Sequence, residues 1–351
     1  MSIGMSKAVL AIHFGEPPTP DPAVVREYLT EIFYQNADLE GTTTEEAATE
    51  RARELAERRA PGLLEEYEEM GGSPMNEQAA AQVNALASAL TSRGFDVRTE
   101  LAYQFMEPSI ETAIEGFASD DIDELVLLPI YPLCGPSTTV ASLERALAAI
   151  EDEDDWDPTV SPISGWHRHP RYLRLRTDNI REYAQDNDVG LTDPSTRLVF
   201  SAHGTPVHYL REGSRYGVYV EEVCAAIGGL LGGVEYELGF QNHENRDIPW
   251  TTPAIEDVVE SVEAEQIVVE PVSFMHEQSE TIGELDDDLA ADAAAHGLTF
   301  HRVPIPHDAP SFIELLADVT EPFLASIDHS LYQFRSCQCA PGALCLNAPR
   351  S

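Results

Sequence analysis

Short, continuously apolar runs alternate along this chain with longer amphipathic stretches. Runs of β-branched and aromatic residues closed by Gly or Pro read as buried strands, and the stretches between them, apolar every three to four residues, read as helices. The pattern predicts strands at 8–13, 96–103, 124–131 and 159–163. A second set follows at 197–201, 235–241, 266–274 and 298–303. Helices are expected at 22–33, after a Thr42-Thr43-Thr44 N-cap, at 77–92, from 108, at 137–150 and at 170–185. Further helices are expected at 219–231, 253–264, 280–297 and 311–329. The two sets match. VLLPIYP at 126–132 answers VVEPVSF at 268–274, each a third strand with a proline at a corresponding point. The expectation is an α/β protein made by one duplication, with four parallel strands flanked by helices in each half and a cleft between the halves. The boundaries fall at residues 1–169 and 170–330, with a cysteine-containing tail at 331–351.

Composition changes that picture in one respect. The 351 residues carry 62 acidic against 21 basic side chains, a formal net charge of -41, and Lys7 is the sole lysine. A nucleic-acid backbone or an anionic membrane would be repelled. The acids are spread through the periodic segments rather than gathered in a tail. This suggests a protein adapted to molar salt, where the screening length falls to about 3 Å, and poor folding at low salt is expected. No apolar run reaches the length of a membrane span, and the start of the chain lacks the marks of a signal peptide. A cytoplasmic location is therefore expected, in which five cysteines suggest metal binding or catalysis before disulfides.

Open α/β sheets bind ligands beyond the carboxyl ends of their strands. RLVFSAHGTP at 197–206 ends such a strand on His203, an imidazole placed to work as a base. The loop after QIVVEPVSF brings a carboxylate, Glu280, to the start of a helix, with Glu284 and Asp288 following at intervals of four. That spacing sets three carboxylates in a row, either a solvated acidic face or a path for cations and protons. A histidine and a carboxylate across a cleft can take N–H protons near neutral pH and hold a divalent metal weakly. His13, Tyr131, Met75 and Trp250 lie at strand or turn ends where a flat ligand would meet them. In the tail, Cys337, Cys339 and Cys345 place three thiols within nine residues, a pattern suited to a soft metal or an iron–sulfur cluster, with zinc or reactive thiols as alternatives. Cys224 sits among Val and Ala and reads as a small buried hydrophobe.

The segments LAIHFGEPPTP, YLTEIFYQ, GGSPMNEQ, EPSIETAI, LLPIYPLCGPSTT, FSAHGTPVHYL, FQNHENRDIPWTTP and EPVSFMHEQSETIGELD occur in an order that resembles the ferrochelatases. These enzymes insert ferrous iron into a porphyrin. The resemblance implies two Rossmann-like halves with the porphyrin in the cleft. It also implies His203 as proton acceptor, Glu280 as catalytic carboxylate, His203 and Glu280 as metal contacts, and Glu284 and Asp288 as a row passing metal or protons. His13, Tyr131, Trp250 and Met75 would line the macrocycle. A subset of the family holds a [2Fe–2S] cluster with three tail cysteines and one distant cysteine. That implies Cys337, Cys339 and Cys345 here, with Cys134 in the region of the fourth, and cluster-bearing relatives form homodimers. The chain departs from the family pattern at Gln278, where a histidine is usual, and at Gln104 and Glu107. The segment 38–61, expected as a polar lip over the cleft, leans the reading toward coproporphyrin III over protoporphyrin IX. A cobalt- or nickel-inserting chelatase and a non-catalytic haem or iron carrier are the other two readings.

Overall fold

The computed structural model describes residues 5–42, 44–243, 248–325 and 327–347. It contains two four-stranded parallel sheets. The first is built from β1 (Lys7–His13), β2 (Arg98–Tyr103), β3 (Glu124–Pro129) and β4 (Thr159–Pro162), in the order β2-β1-β3-β4. The second repeats it with β5 (Thr196–His203), β6 (Tyr236–Gln241), β7 (Gln266–Pro271) and β8 (Thr299–Arg302), in the order β6-β5-β7-β8. In each half the chain winds one way from the first strand and then the other, so the reversal falls beside β1 and β5. A crevice opens at such a reversal. Both third strands end on the paired prolines, Pro129 opposite Ile12 and Pro271 opposite Ser201. One further bond follows each proline, Ile130 N–H to the Ile12 carbonyl and Val272 N–H to the Ser201 carbonyl, both at 2.9 Å, before the chain leaves the sheet for a loop at the cleft.

Each of those loops passes into a π-helical turn, at Pro136–Val140 in the first half and Ile282–Leu289 in the second. The helix expected over 280–297 is therefore three pieces: a short α-turn at Ser279–Thr281, the π-helix, and an α-helix at Ala290–Ala295. Such wide turns concentrate at functional sites.

The first half carries α1 (Pro22–Gln35), α2 (Glu45–Met70) and α3 (Met75–Ser92). Thr44 caps α2 by accepting from the Ala47 N–H, and Thr43 of the expected cap lies outside the described residues. The polar lip expected at 38–61 is corrected in two ways. The helix continues through Pro61 to Met70, and its inner face is apolar. Leu55, Leu63 and Tyr67 bury against Val25, Leu29 and Phe33 of α1, and this packing outweighs the backbone hydrogen bond that Pro61 cannot donate. The helix expected over 311–329 ends at Leu324.

The halves are tied by the Pro310–Leu324 helix, which packs on α3 and on the Pro170–Asp186 helix. Arg93 of α3 binds three of its carboxylates, Glu314, Asp318 and Glu321. The tail forms a small hairpin, β9 (Arg335–Ser336) with β10 (Leu344–Cys345), and is pinned to the first half. Ser164 donates its N–H to the Leu344 carbonyl at 2.9 Å, and Leu346 donates to Gly165 at 3.0 Å.

Candidate active site

β5 delivers His203 to the end of an inner strand, half-buried at the cleft wall. Its main chain is fixed on both sides. The His203 N–H donates to Ser273 Oγ at 2.8 Å, and the Tyr216 hydroxyl donates to its carbonyl at 2.9 Å. Gly204 follows because β6 comes too close for anything larger: a Cβ there would strike Asn242 and the Gln241 carbonyl. Its role is close approach rather than a left-handed turn. His203 Nδ1 lies 2.6 Å from the Gly204 carbonyl, which places a hydrogen on Nδ1 and aims Nε2 into the cleft.

Glu280 faces it, with Oε1 at 3.1 Å from His203 Nε2. Gln278 holds the other carboxylate oxygen at 2.7 Å, so the residue standing at the usual histidine position serves as a hydrogen-bond donor to Glu280. The segment is braced from below. Arg302 of β8 binds Glu277 and Asp286, and Gln241 of β6 donates to the Glu280 carbonyl and to Glu284 Oε2, both at 2.9 Å.

Burial alone would lower the His203 pKa, but the Glu280 charge and hydrogen bond, with the Gly204 carbonyl, outweigh it and push the imidazole up to about 9. Burial would raise Glu280, yet His203, His243 and Gln278 bring it down to about 2. Glu284, buried and repelled by Glu280, is pushed up to about 8. The metal-free pair is thus an imidazolium and a carboxylate beside a protonated carboxylic acid. The raised histidine stabilises the fold below its ordinary value of about 6.5, and this contribution is lost as pH rises through about 9. The depressed Glu280 stabilises it above the ordinary value of about 4.3, and this is lost as pH falls toward about 2. Glu280→Gln removes the charge that most opposes burial, so the His203 midpoint is expected to fall well below about 9. Imidazole NMR titration of the metal-free protein checks this, and an unchanged midpoint contradicts it.

The pair opens into a cavity of about 260 Å³ between the halves. Leu29, Ile32, Phe33 and Leu63 of α1 and α2 form one wall, and Tyr131, Met75, Trp250, Phe274 and Met275 continue it. Tyr131, Met75 and Trp250 stand where the sequence placed them. His13 does not reach the cavity. It is fully buried behind the wall, its Nδ1 2.8 Å from His276 Nε2, and His276 lines the cavity in its stead. Glu284 lines the cavity, whereas Asp288 is exposed outside it.

Two cavity residues escaped the sequence reading. Glu16 is buried and accepts from Ser73 Oγ, and from Ser279 N–H at 3.2 Å and Ser279 Oγ at 2.5 Å, latching the first half onto the segment that carries Glu280. Burial raises its pKa despite the Ser279 and Ser73 hydrogen bonds. His243, just beyond β6, sets its Nε2 3.1 Å from that of His203 and 3.5 Å from Glu280 Oε1. A histidine in a polar loop gives no such signal from sequence; only the position of β6 beside β5 could have. Residues 244–247 of that motif lie outside the described residues.

On the far side of Tyr219 the tail meets the first half. Cys134 Sγ is 4.0 Å from Cys337 Sγ, and the donor atoms of Cys134, Cys337 and Cys339 all lie within 4.8 Å of one another. The N–H groups of Cys339 and Ala340 both point to Cys337 Sγ at 3.3 Å. Cys345 is buried beside them and hydrogen-bonds Cys337. Cys224 is buried in the second half's core, apart from this group.

A family description for ferrochelatase matches residues 6–323, a span that includes both halves of the cleft. The chain belongs to the ferrochelatase family. A ferrochelatase of Geobacter metallireducens is 30% identical over 324 residues, covering 89% of this chain and 96% of that one. One from a Picosynechococcus strain is 34% identical over 271 residues, covering 74% of this chain and 69% of its own. Among solved structures, SirB from Bacillus subtilis with Fe3+ superposes with a TM-score of 0.55 at 11% identity, covering 94% of this chain and 98% of its own. CbiX, described as the terminal enzyme of sirohaem biosynthesis in denitrifying bacteria, gives 0.50 at 16% identity, covering 92% and 100%. At such identities these two speak for the ferrochelatase fold alone, two Rossmann-like halves around a cleft. No helix among the described residues is long and apolar enough to cross a membrane.

Proposed function

We propose that this ferrochelatase seats protoporphyrin IX in the apolar cleft and inserts Fe2+ from the side of His203 and Glu280. The observation that carries the reading is the 3.1 Å approach of His203 Nε2 to Glu280 Oε1 at a wall otherwise built of apolar and aromatic side chains. The reaction exchanges two pyrrole protons for one ferrous ion with no change of oxidation state. A cation arriving at Glu280 cancels the charge that keeps His203 protonated, so the imidazolium gives its Nε2 proton to water; once the ion has passed to the macrocycle, the freed Nε2 accepts a pyrrole proton. Glu284, pushed up to about 8, holds and releases a proton near neutral pH, and Asp288 continues the row to solvent. Tyr131, Met75 and Trp250 supply flat and soft surfaces against the macrocycle.

The choice of porphyrin rests on charge. Among the described lining residues Arg59 is the one Arg or Lys, and it is bound to Glu66. Two propionates can reach the open side of the cleft, whereas four would meet an acidic protein with no cation to spare. In direct competition at equal concentrations, protoporphyrin IX is expected to be metallated faster than coproporphyrin III. A preference for coproporphyrin overturns this part of the reading.

The tail thiols fit an iron–sulfur cluster. Cys134, Cys337 and Cys339 converge, Cys345 completes four, and two N–H groups point to Cys337 Sγ as donors do to cluster-bound thiolates. A bound [2Fe–2S] group would supply a covalent staple between tail and first half, since the insertion reaction itself moves no electrons. The salt adaptation suggested by the acidic surface, the cytoplasmic location and a homodimer of cluster-bearing chains belong to the same proposal.

A further inference from the structure

The donor atoms of His203, His243 and Glu280 form a small triangle. Its sides are 3.1 Å between the two Nε2 atoms, 3.1 Å from His203 Nε2 to Glu280 Oε1, and 3.5 Å from His243 Nε2 to the same oxygen. A first-row divalent ion binds imidazole nitrogen and carboxylate oxygen at about 2.1 Å, which sets donor–donor edges of roughly 3.0–3.4 Å for angles between square and tetrahedral. The triangle therefore has the dimensions of one face of such an ion's coordination shell. An ion about 2.1 Å from all three atoms would sit roughly 0.9 Å above their plane.

The surroundings orient each donor. Nδ1 of His203 is committed to the Gly204 carbonyl, which leaves Nε2 as the binding atom. Oε2 of Glu280 is committed to Gln278, which leaves Oε1. The Trp250 ring stands edge-on to His243 with centroids 5.5 Å apart, and Phe274 packs against His203. Second contacts of this kind fix ligand rings and raise metal affinity. All three residues line the cleft, so the other side of the ion would face the porphyrin.

We propose that His243 completes a two-histidine, one-carboxylate face that captures the ferrous substrate at the cleft wall before the macrocycle takes it. The proposal rests on the reading of the cleft as the insertion site, and it adds to His203 and Glu280 a ligand on a different strand. Three protein donors on one face leave the remaining positions to water, which pyrrole nitrogens replace one by one; as the ion passes to the macrocycle, His203 Nε2 and Glu280 are released to take the two pyrrole protons. The mixed nitrogen and oxygen donors suit Fe2+, Co2+ and Zn2+, and they disfavour Mg2+ and Ca2+, which prefer all-oxygen shells.

The test is an anaerobic Co2+ titration of the full chain without porphyrin, followed by visible absorption. Cobalt on the tail thiols would show a sulfur-to-metal band in the near ultraviolet and visible bands of its own, so the titration is made also in Cys337→Ser, where the remaining visible bands report the cleft. Wild type is expected to bind one cleft equivalent, and His243→Ala and His243→Gln to weaken it by about 10–100-fold. Melting temperature should be unchanged in both variants, which establishes that they fold, and porphyrin affinity should fall far less than Co2+ affinity. In turnover, the KM for Fe2+ should rise by a similar factor with kcat little altered, the signature of a lost ligand in the ground state. Cleft affinity for Co2+ unchanged in both variants overturns the proposal, as does an equal loss of porphyrin binding. Wild-type protein that binds Co2+ in the cleft but never metallates a porphyrin would instead sink the insertion reading and leave the site standing.

Discussion

His203→Ala is expected to lower kcat for iron insertion by about 10²–10⁴-fold, the usual worth of a positioned general base, while porphyrin affinity stays close to wild type. The separation of the two effects follows from the structure. In the proposed seating the macrocycle's contact area would come from the cavity residues Leu29, Ile32, Phe33, Leu63, Tyr131 and Trp250, whereas His203 would offer one nitrogen at the wall. Truncation also leaves Glu280 buried without its 3.1 Å partner, so its depressed pKa should move back up. His203→Gln, which keeps bulk and a hydrogen bond to Glu280 but no basic nitrogen, should be as slow as Ala and more stable. A single-turnover assay with measured porphyrin binding checks both statements. A loss confined to porphyrin affinity would make His203 a packing residue.

The second large effect is expected in the tail. Protein purified without oxygen should carry iron and acid-labile sulfide, and Cys337→Ser should lose both. Cys337 is the central thiol: it contacts Cys134 at 4.0 Å and receives the Cys339 and Ala340 N–H groups. The hairpin then keeps its hydrogen bonds to residues 163–165, the Asn347 bond to the Pro132 carbonyl and the packing of Ala340 and Ala343 in the first half's core. Loss of about 3 kcal/mol there corresponds to roughly 4 °C in melting temperature for a chain of 351 residues. The Cys224→Ser variant, outside the group, should retain the iron and sulfide. Wild-type protein that carries zinc in place of iron and sulfide, or a Cys337→Ser variant with an unchanged melting curve, counts against the cluster.

The duplicated architecture was legible because a buried parallel strand is written as an uninterrupted apolar run, and because Pro129 and Pro271 mark the same event in both halves. The sequence placed His203 and Glu280 at the cleft for a related reason: His203 ends β5, and Glu280 opens the short helical turn after the loop that leaves β7. Elsewhere the information is not local. The π-helix at Ile282–Leu289 shares its apolar periodicity with an α-helix and differs in which carbonyl each N–H meets; its Asp286 and Glu284 side chains are held by Arg302 and Gln241 from other strands, contacts that local sequence does not record. α2 runs through Pro61 because α1 covers its inner face, which a local rule about proline cannot see. Glu16 reads as a loop acid until Ser73 and Ser279, far away in sequence, close around it. His13 shows the opposite error. It ends a strand as His203 does, yet His276 from the other half stands in front of it.

The central claim is that this cleft turns over. The most direct measurement is the anaerobic loss of protoporphyrin fluorescence in molar KCl, with Fe2+ and porphyrin in large excess over enzyme. The account predicts continuous loss over many equivalents per protein molecule, with haem as product and no such progress in His203→Ala. Fluorescence loss that stops at one equivalent, the same in wild type and His203→Ala, would contradict it and describe a carrier instead of an enzyme.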